Sequence, residues 1–316
     1  LLAYWDKANK LRREKKYEEA DRVFREGLTL DPDHMGLLHD LGVNLNNQKR
    51  HAEADIVFNK GIAFYPRDSK YYNALGWSLF WQGKYAEAED IFQRGLEFNP
   101  THHGILNGIR QAAFQNKNFD GVKRYGEAYL ALGASPTARR YIHPRLGWIG
   151  ILQKDYQYAE KHFRQAFALD TTQSQAIRGL GYLATVQEKW SEAEKRAWQA
   201  LGRDSSFANY NLTAWVLVAG NIDLDRGIAF AEKILASKPK NWGQTVATFP
   251  YFAIPEHTLG LAYLKKDELE KAVLYLEQAA AFAPQRQAIR EDLQRAREKL
   301  REIAGKLVDW KFTAIR

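Results

Sequence analysis

Pro32, Pro66 and Pro100 stand 34 residues apart, and the residues around them keep the same spacing. Ala20, Ala54 and Ala88 recur at that period, as do Phe24, Phe58 and Phe92, and Gly27, Gly61 and Gly95. Leu41-Gly42 returns as Leu75-Gly76. A fixed period of this length, carried by small, aromatic and proline positions, predicts a helix–turn–helix unit copied along the chain. Each unit of such an array buries its apolar face only against its neighbours, so chain length sets the number of units rather than the size of one core.

The period fills residues 1–34, 35–68 and 69–102 without gaps. In the third unit Tyr72, Leu75, Gly76 and Leu79 fall at spacings of three and four, on one stripe of a first helix. Ala88, Phe92 and Gly95 do the same on a second helix, after Tyr85. The small residues let two backbones approach, and the large ones fill the space between them. Pro100 cannot continue a helix interior and ends the unit. Gly83, before Lys84, suits the turn between the two helices.

These positions, Tyr72, Leu75, Gly76, Leu79, Tyr85, Ala88, Phe92, Gly95 and Pro100, resemble the tetratricopeptide repeat closely. The resemblance implies an all-α chain, a right-handed α-solenoid of about eight helix–turn–helix units closed by a C-terminal capping helix. It spans residues 1–284. The unit at 103–136 is degenerate, with Arg110, Val122 and Gly126 where small, alanine and aromatic residues are expected. The pattern returns at 140–173 with Leu146, Gly147, Ala159 and Phe163, and at 174–207 with Gly181, Trp190 and Ala193. It is loose at 208–239 and clear at 253–284, with Leu259, Gly260, Tyr263 and Ala272. Residues 240–252 interrupt it, and their aromatics and Pro250 predict an ordered loop packed on the array. Residues 285–306 are charged and amphipathic, as a terminal cap requires, and 307–316 form a tail.

Composition narrows the function. The formal charge is +8, from 46 Lys+Arg against 38 Asp+Glu, spread along the chain. The densest basic run, Arg12 to Lys16, reads as a solvated turn, so nucleic acid is not the expected partner. The absence of cysteine excludes disulfides, cysteine-ligated zinc and cysteine nucleophiles. It leans towards a bacterial, periplasmic setting over a cytoplasmic one. No apolar run approaches a membrane span. The chain opens on Leu1 inside a helical pattern, which suggests that flanking segments have been removed.

Enzyme motifs are missing, and neither a cofactor nor a metal is expected. Gly179-Leu180-Gly181 lacks the third glycine of a nucleotide loop and falls inside a helical pattern, where it reads as close packing. His102-His103 lie at a unit junction, where capping is the simpler role. Asn211-Leu212-Thr213 is a glycosylation sequon placed on a helix.

The resemblance implies that first helices line a concave groove, and that groove positions are free of packing duties. One subgroup of the family grips chaperone tails ending in a carboxylate. Asn9 and Lys70 match that subgroup, but Trp5, Asp40 and Ala74 depart from it, and Asp40 would repel a carboxylate. The expected site lies further along, at Asn73, Trp77, Trp81, Asn107, Gln111, Arg145, Trp148, Arg178 and Tyr182. Amides suit a peptide backbone, aromatics fill pockets, and arginines pair acids. Each aromatic has a competing role as core packing, and Phe80, Phe114 and Ile151 lean that way. The expected function is a non-catalytic scaffold for an extended, partly acidic protein segment. The alternatives are a periplasmic module handling an acidic glycan in polysaccharide secretion, and a recognition module cut from a larger enzyme or assembly.

Overall fold

The computed structural model describes residues 1–237 and 254–313, with the side chains of 305–313 left aside. The expected insertion at 240–252, Pro239 and the last three residues lie outside the described residues. Every described element is a helix. In order these are α1 (Leu2–Arg13), α2 (Tyr17–Leu30), α3 (Met35–Asn47), α4 (His51–Phe64), α5 (Ser69–Trp81) and α6 (Tyr85–Phe98). Then come α7 (His103–Gln115), α8 (Phe119–Ala131), α9 (Pro136–Leu152), α10 (Tyr156–Leu169), α11 (Ser174–Val186) and α12 (Trp190–Leu201). The chain continues with α13 (Phe207–Ala219), α14 (Leu224–Ala236), α15 (Pro255–Lys265), α16 (Leu269–Phe282) and α17 (Gln287–Thr313). It forms two compact units, Leu1–Arg139 and Arg140–Arg316.

In the first unit each helix packs on the next, from α1 to α8, and the first helices α1, α3, α5 and α7 also touch in succession. The first helices therefore form one continuous layer, with each second helix wedged outside two of them. The second unit repeats the arrangement, with α11 against α13 and α13 against α15. Its α17 packs on α15 and α16 and covers the end of the stack. The fold is an α-solenoid.

The wedge is built from one aromatic and two small residues. Phe58, Phe92 and Phe163 are fully buried. A Cβ placed on Gly42 would come within 2.3 Å of Phe58, and one on Gly147 within 2.6 Å of Phe163. The same ring of Phe163 also lies against Gly179, where a Cβ would approach to 2.3 Å. Gly179 is thus a packing glycine, as its place in a helical pattern suggests.

The turn inside each pair needs a left-handed residue. In the first unit it falls on Lys15, Lys49, Gly83 and Lys117, with φ of 62, 60, 76 and 59°. In the second it falls on Lys154, Glu188, Asn221 and Asp267. Only Gly83 adopts it without a Cβ penalty.

The degenerate repeat has a physical reason. At Gly42, Gly76 and Gly147 a glycine on the first helix faces a phenylalanine on the second; here the sizes are reversed, with Arg110 on α7 and Gly126 on α8, both buried. Arg110 Nη2 donates to Asn107 Oδ1 at 2.8 Å. The residues after 136, outside the regular period, join the start of α9 and lengthen it to 17 residues. Pro144 inside α9 cannot bond the Arg140 carbonyl one turn back. That carbonyl accepts instead from Gln173 Nε2 at 2.8 Å.

Candidate partner-binding faces on the first helices

In the first unit the expected site residues sit on α5 and α7. Asp68 caps α5 by accepting from the Lys70 amide, and His102 caps α7 by accepting from the Ile105 amide at 3.2 Å. His102 is a capping histidine, and burial lowers its pKa. Among the described residues no three His, Asp or Glu side chains gather as a metal site would require.

Trp77 is half-buried, edge-on to Phe92 at 5.7 Å and to Phe80 at 5.4 Å. Trp81, one turn on, is 55% exposed. The two indoles lie 5.9 Å apart and 30° from parallel, and His51 of α4 approaches Trp81 at 6.1 Å. They form a ledge whose inner edge is core and whose outer edge is open. Asn73, Asn107 and Gln111 are half-buried on the same two helices. Asn107 accepts from Arg110 through its oxygen. The Asn73 oxygen is buried without a hydrogen-bond partner and lies where a Cβ on Gly104 would be 3.0 Å away.

The α1–α3 end of the layer is organised differently. Asp40 Oδ2 accepts from Trp5 Nε1 at 2.7 Å and from Asn9 Nδ2 at 2.9 Å. Arg12 lies 3.6 Å from its other oxygen, and His39 Nδ1 lies 3.2 Å from that oxygen. The amide of Asn9 that would meet a foreign carboxylate already holds Asp40. Burial pushes the Asp40 carboxyl up, but the bonds from His39 and Asn9 and the charge of Arg12 outweigh it and hold it below its usual value.

In the second unit Arg145 and Trp148 lie on α9, and Arg178 and Tyr182 on α11. Trp148 is 9% exposed and stacks edge-on to Phe163 at 5.0 Å. It belongs to the core cluster with Ile151 and Leu183, which corrects its expected role as an open anchor. Ile151 is core too, and Phe80 packs partly buried against the core of the first unit. The Arg178 guanidinium covers the Trp148 ring at 5.7 Å and donates from Nη1 to Asn209 Oδ1 at 3.2 Å. The Tyr182 ring lies 6.3 Å from that of Trp148, tilted by 58°. Burial pushes the Tyr182 phenol up to about 12. Arg145 and Arg178 are half-buried. Burial lowers the pKa of Arg145, and likewise that of Arg286, which lies close enough to Tyr182 for its charge to act on the phenol.

Several residues of this face escape a reading by period. Helix α13 begins at Phe207, one residue ahead of the expected unit at 208, so its inner positions fall on Asn211 and Trp215. Asn211 is 1% exposed, which removes it as a glycosylation site. Trp215 stacks on His257 of α15 at 5.4 Å. Asp204 and Ser206 at the head of α13 carry the signal that would have placed it, since Asp204 Oδ1 accepts from the Ser206 amide.

A family model for the tetratricopeptide repeat matches residues 69–102, and a second one matches 2–34 and 257–286. These stretches of the chain are tetratricopeptide repeats. No curated protein matches it in sequence. Among solved structures it is similar to the Cut9–Hcn1 hetero-tetramer of the APC/C, at 15% identity and a TM-score of 0.55. That match covers 92% of this chain and 54% of the other, so the chain spans about half its length. It is also similar to PilF of Pseudomonas aeruginosa, at 19% identity and a TM-score of 0.48, over 63% of this chain and 90% of that one. YrrB, described as a TPR protein with an unusual peptide-binding site, matches at 14% identity and a TM-score of 0.48, over 58% and 93%. Among the described residues no helix is long and apolar enough to cross a membrane.

Proposed function

We propose that the first-helix layers bind an extended, partly acidic protein segment, and that the chain works as an interaction scaffold. The observation that carries this reading is the Trp77–Trp81 ledge. There a tryptophan 55% exposed stands one turn from a tryptophan packed on the core, so an open ring rests on a fixed base. Aromatic residues with one face packed and one free make strong partner anchors because little conformational freedom is lost on binding. Asn73, Asn107 and Gln111 flank the ledge and would bond a backbone. In the second unit Arg145, Arg178 and Arg286 are the acid-pairing groups, and Tyr182 supplies an aromatic wall. Half-buried guanidiniums gain more from a partner carboxylate than exposed ones do, because less water competes.

The test is a peptide library graded in Asp and Glu content, read by fluorescence polarisation. Acidic extended peptides should bind best, with affinity falling as salt rises. Trp81→Ala in the first unit and Arg178→Ala in the second should each weaken binding at least tenfold while the helical circular-dichroism signal is kept. Unimpaired binding by either variant would remove that unit's face from the reading. Binding of acidic oligosaccharides with no peptide bound would remove the protein-segment reading.

A further inference from the structure

Asp40 is held as a ligand is held. Its carboxylate comes from α3, and three of its four partners come from α1, across the inner layer. Trp5 Nε1 and Asn9 Nδ2 converge on one oxygen at 2.7 and 2.9 Å, while Arg12 lies 3.6 Å from the other. Arg12 Nη2 also donates to Asn9 Oδ1 at 2.7 Å, which fixes the asparagine with its NH2 group towards Asp40. His39 is the fourth partner, at 3.2 Å. Asp40 is only 13% exposed, yet the groups around it open on a cleft of about 260 Å³ lined by Trp5, Asp6, Asn9, Arg12, Arg13 and Asp40. An indole N–H, an amide and a guanidinium aimed at one carboxylate make a complete anion cradle.

We infer that this cradle is a carboxylate-binding site filled by the chain's own Asp40, which decides what the α1–α3 end of the groove accepts. With Asp40 in place the donors are satisfied, and a partner's carboxylate would meet a negative charge where it needs a positive one. Without the Asp40 carboxylate, the donors remain on a neighbouring helix and the cleft is roomy enough for a small anion. The residue thus sets specificity by exclusion: it keeps acidic groups of a partner off this end of the layer. The site is separate from the Trp77–Trp81 ledge and does not depend on the function proposed for it.

Formate is the probe, and the indole N–H resonance of Trp5, assigned through Trp5→Phe, is the reporter. In Asp40→Ala, formate should shift that resonance saturably in the millimolar range and raise the melting temperature. The wild-type protein and Asp40→Asn, whose amide still fills the cradle, should show neither effect. Adding Arg12→Gln to Asp40→Ala should weaken the formate response at least tenfold. Chloride at the same ionic strength controls for general salt effects. An Asp40→Ala protein that ignores formate, or a wild-type protein that responds as strongly, would overturn the inference. Should Asp40→Ala fail to fold, Asp40→Ser serves as the second variant. Loss of folding in both would also overturn it, because the cradle would then not exist without its carboxylate.

Discussion

His257 Nε2 lies 2.7 Å from Asp292 Oδ2, and both residues are 5% exposed. The pair fastens α17 to α15, and Arg295 adds a second bond to the same carboxylate. Burial pushes the Asp292 carboxyl up, but His257 and Arg295 outweigh it and leave it below its ordinary value. A carboxylate depressed on folding contributes stability above its unfolded value of about 3.9, and that contribution is lost as pH falls through the folded value. Hydrogen-exchange protection of α17 should therefore hold at neutral pH and fall in acid below about pH 4. Asp292→Asn should cost about 1.5–3 kcal/mol at pH 7, the loss of a hydrogen bond to a charged group, and should flatten that acid limb.

The three tryptophans of the expected site should separate cleanly in stability. Trp148→Ala removes a buried ring and should cost about 3–5 kcal/mol in urea unfolding. Trp77→Ala, packed on Phe80 and Phe92, should fall below that range but remain clearly measurable. Trp81→Ala should cost less than about 1 kcal/mol, since surface substitutions rarely exceed that. A large loss at Trp81 would mean that the ledge is structural on both edges.

The left-handed turn residues offer gains rather than losses. Lys49 and Lys117 hold φ near 60° with a Cβ attached. Changing either to Gly should raise stability by about 0.5–1 kcal/mol, the Cβ penalty less the added freedom of the unfolded chain. Gly83→Ala should lower it by a similar amount. Chemical denaturation of the single variants checks the sign at each turn.

Gly76 and Gly108 should tolerate nothing larger. A Cβ on either would come within 2.5 and 2.4 Å of the Phe92 ring, which has no room to move. Gly76→Ala and Gly108→Ala should each destabilise by about 1–3 kcal/mol, as overpacked cores do. Phe92→Leu should rescue part of that loss in either background, measured as a double-mutant cycle.

The period made the helices legible because it is written in residues that pack: Phe58 against Gly42, Phe92 against Gly76 and Phe163 against Gly147 each need both sizes in register. It was silent on the groove for the same reason. Trp77, Trp81 and Trp148 look alike in the sequence, yet neighbouring side chains make the last one core and leave Trp81 open. Arg178 is half-buried because Trp148 gives it a cation–π face and Asn209 an acceptor, neither of which the spacing shows. Arg286 and Trp215 were missed because one lies outside the repeats and the other in a helix that starts a residue early. The grip on Asp40 was visible only as a mismatch with a known pattern, since its α1 partners come from 28 to 35 positions away.

Phe163 touches Gly147 of its own helix pair and Gly179 of the next. The smallest thing that can be copied in this chain is therefore not a helix pair but a seam. A duplication cut at the turns would place a new glycine under each inherited ring and keep the stack closed. A cut inside the pair would leave one ring without a floor. Lengthening such a protein by whole periods is consequently easy, and lengthening it by any other amount is not.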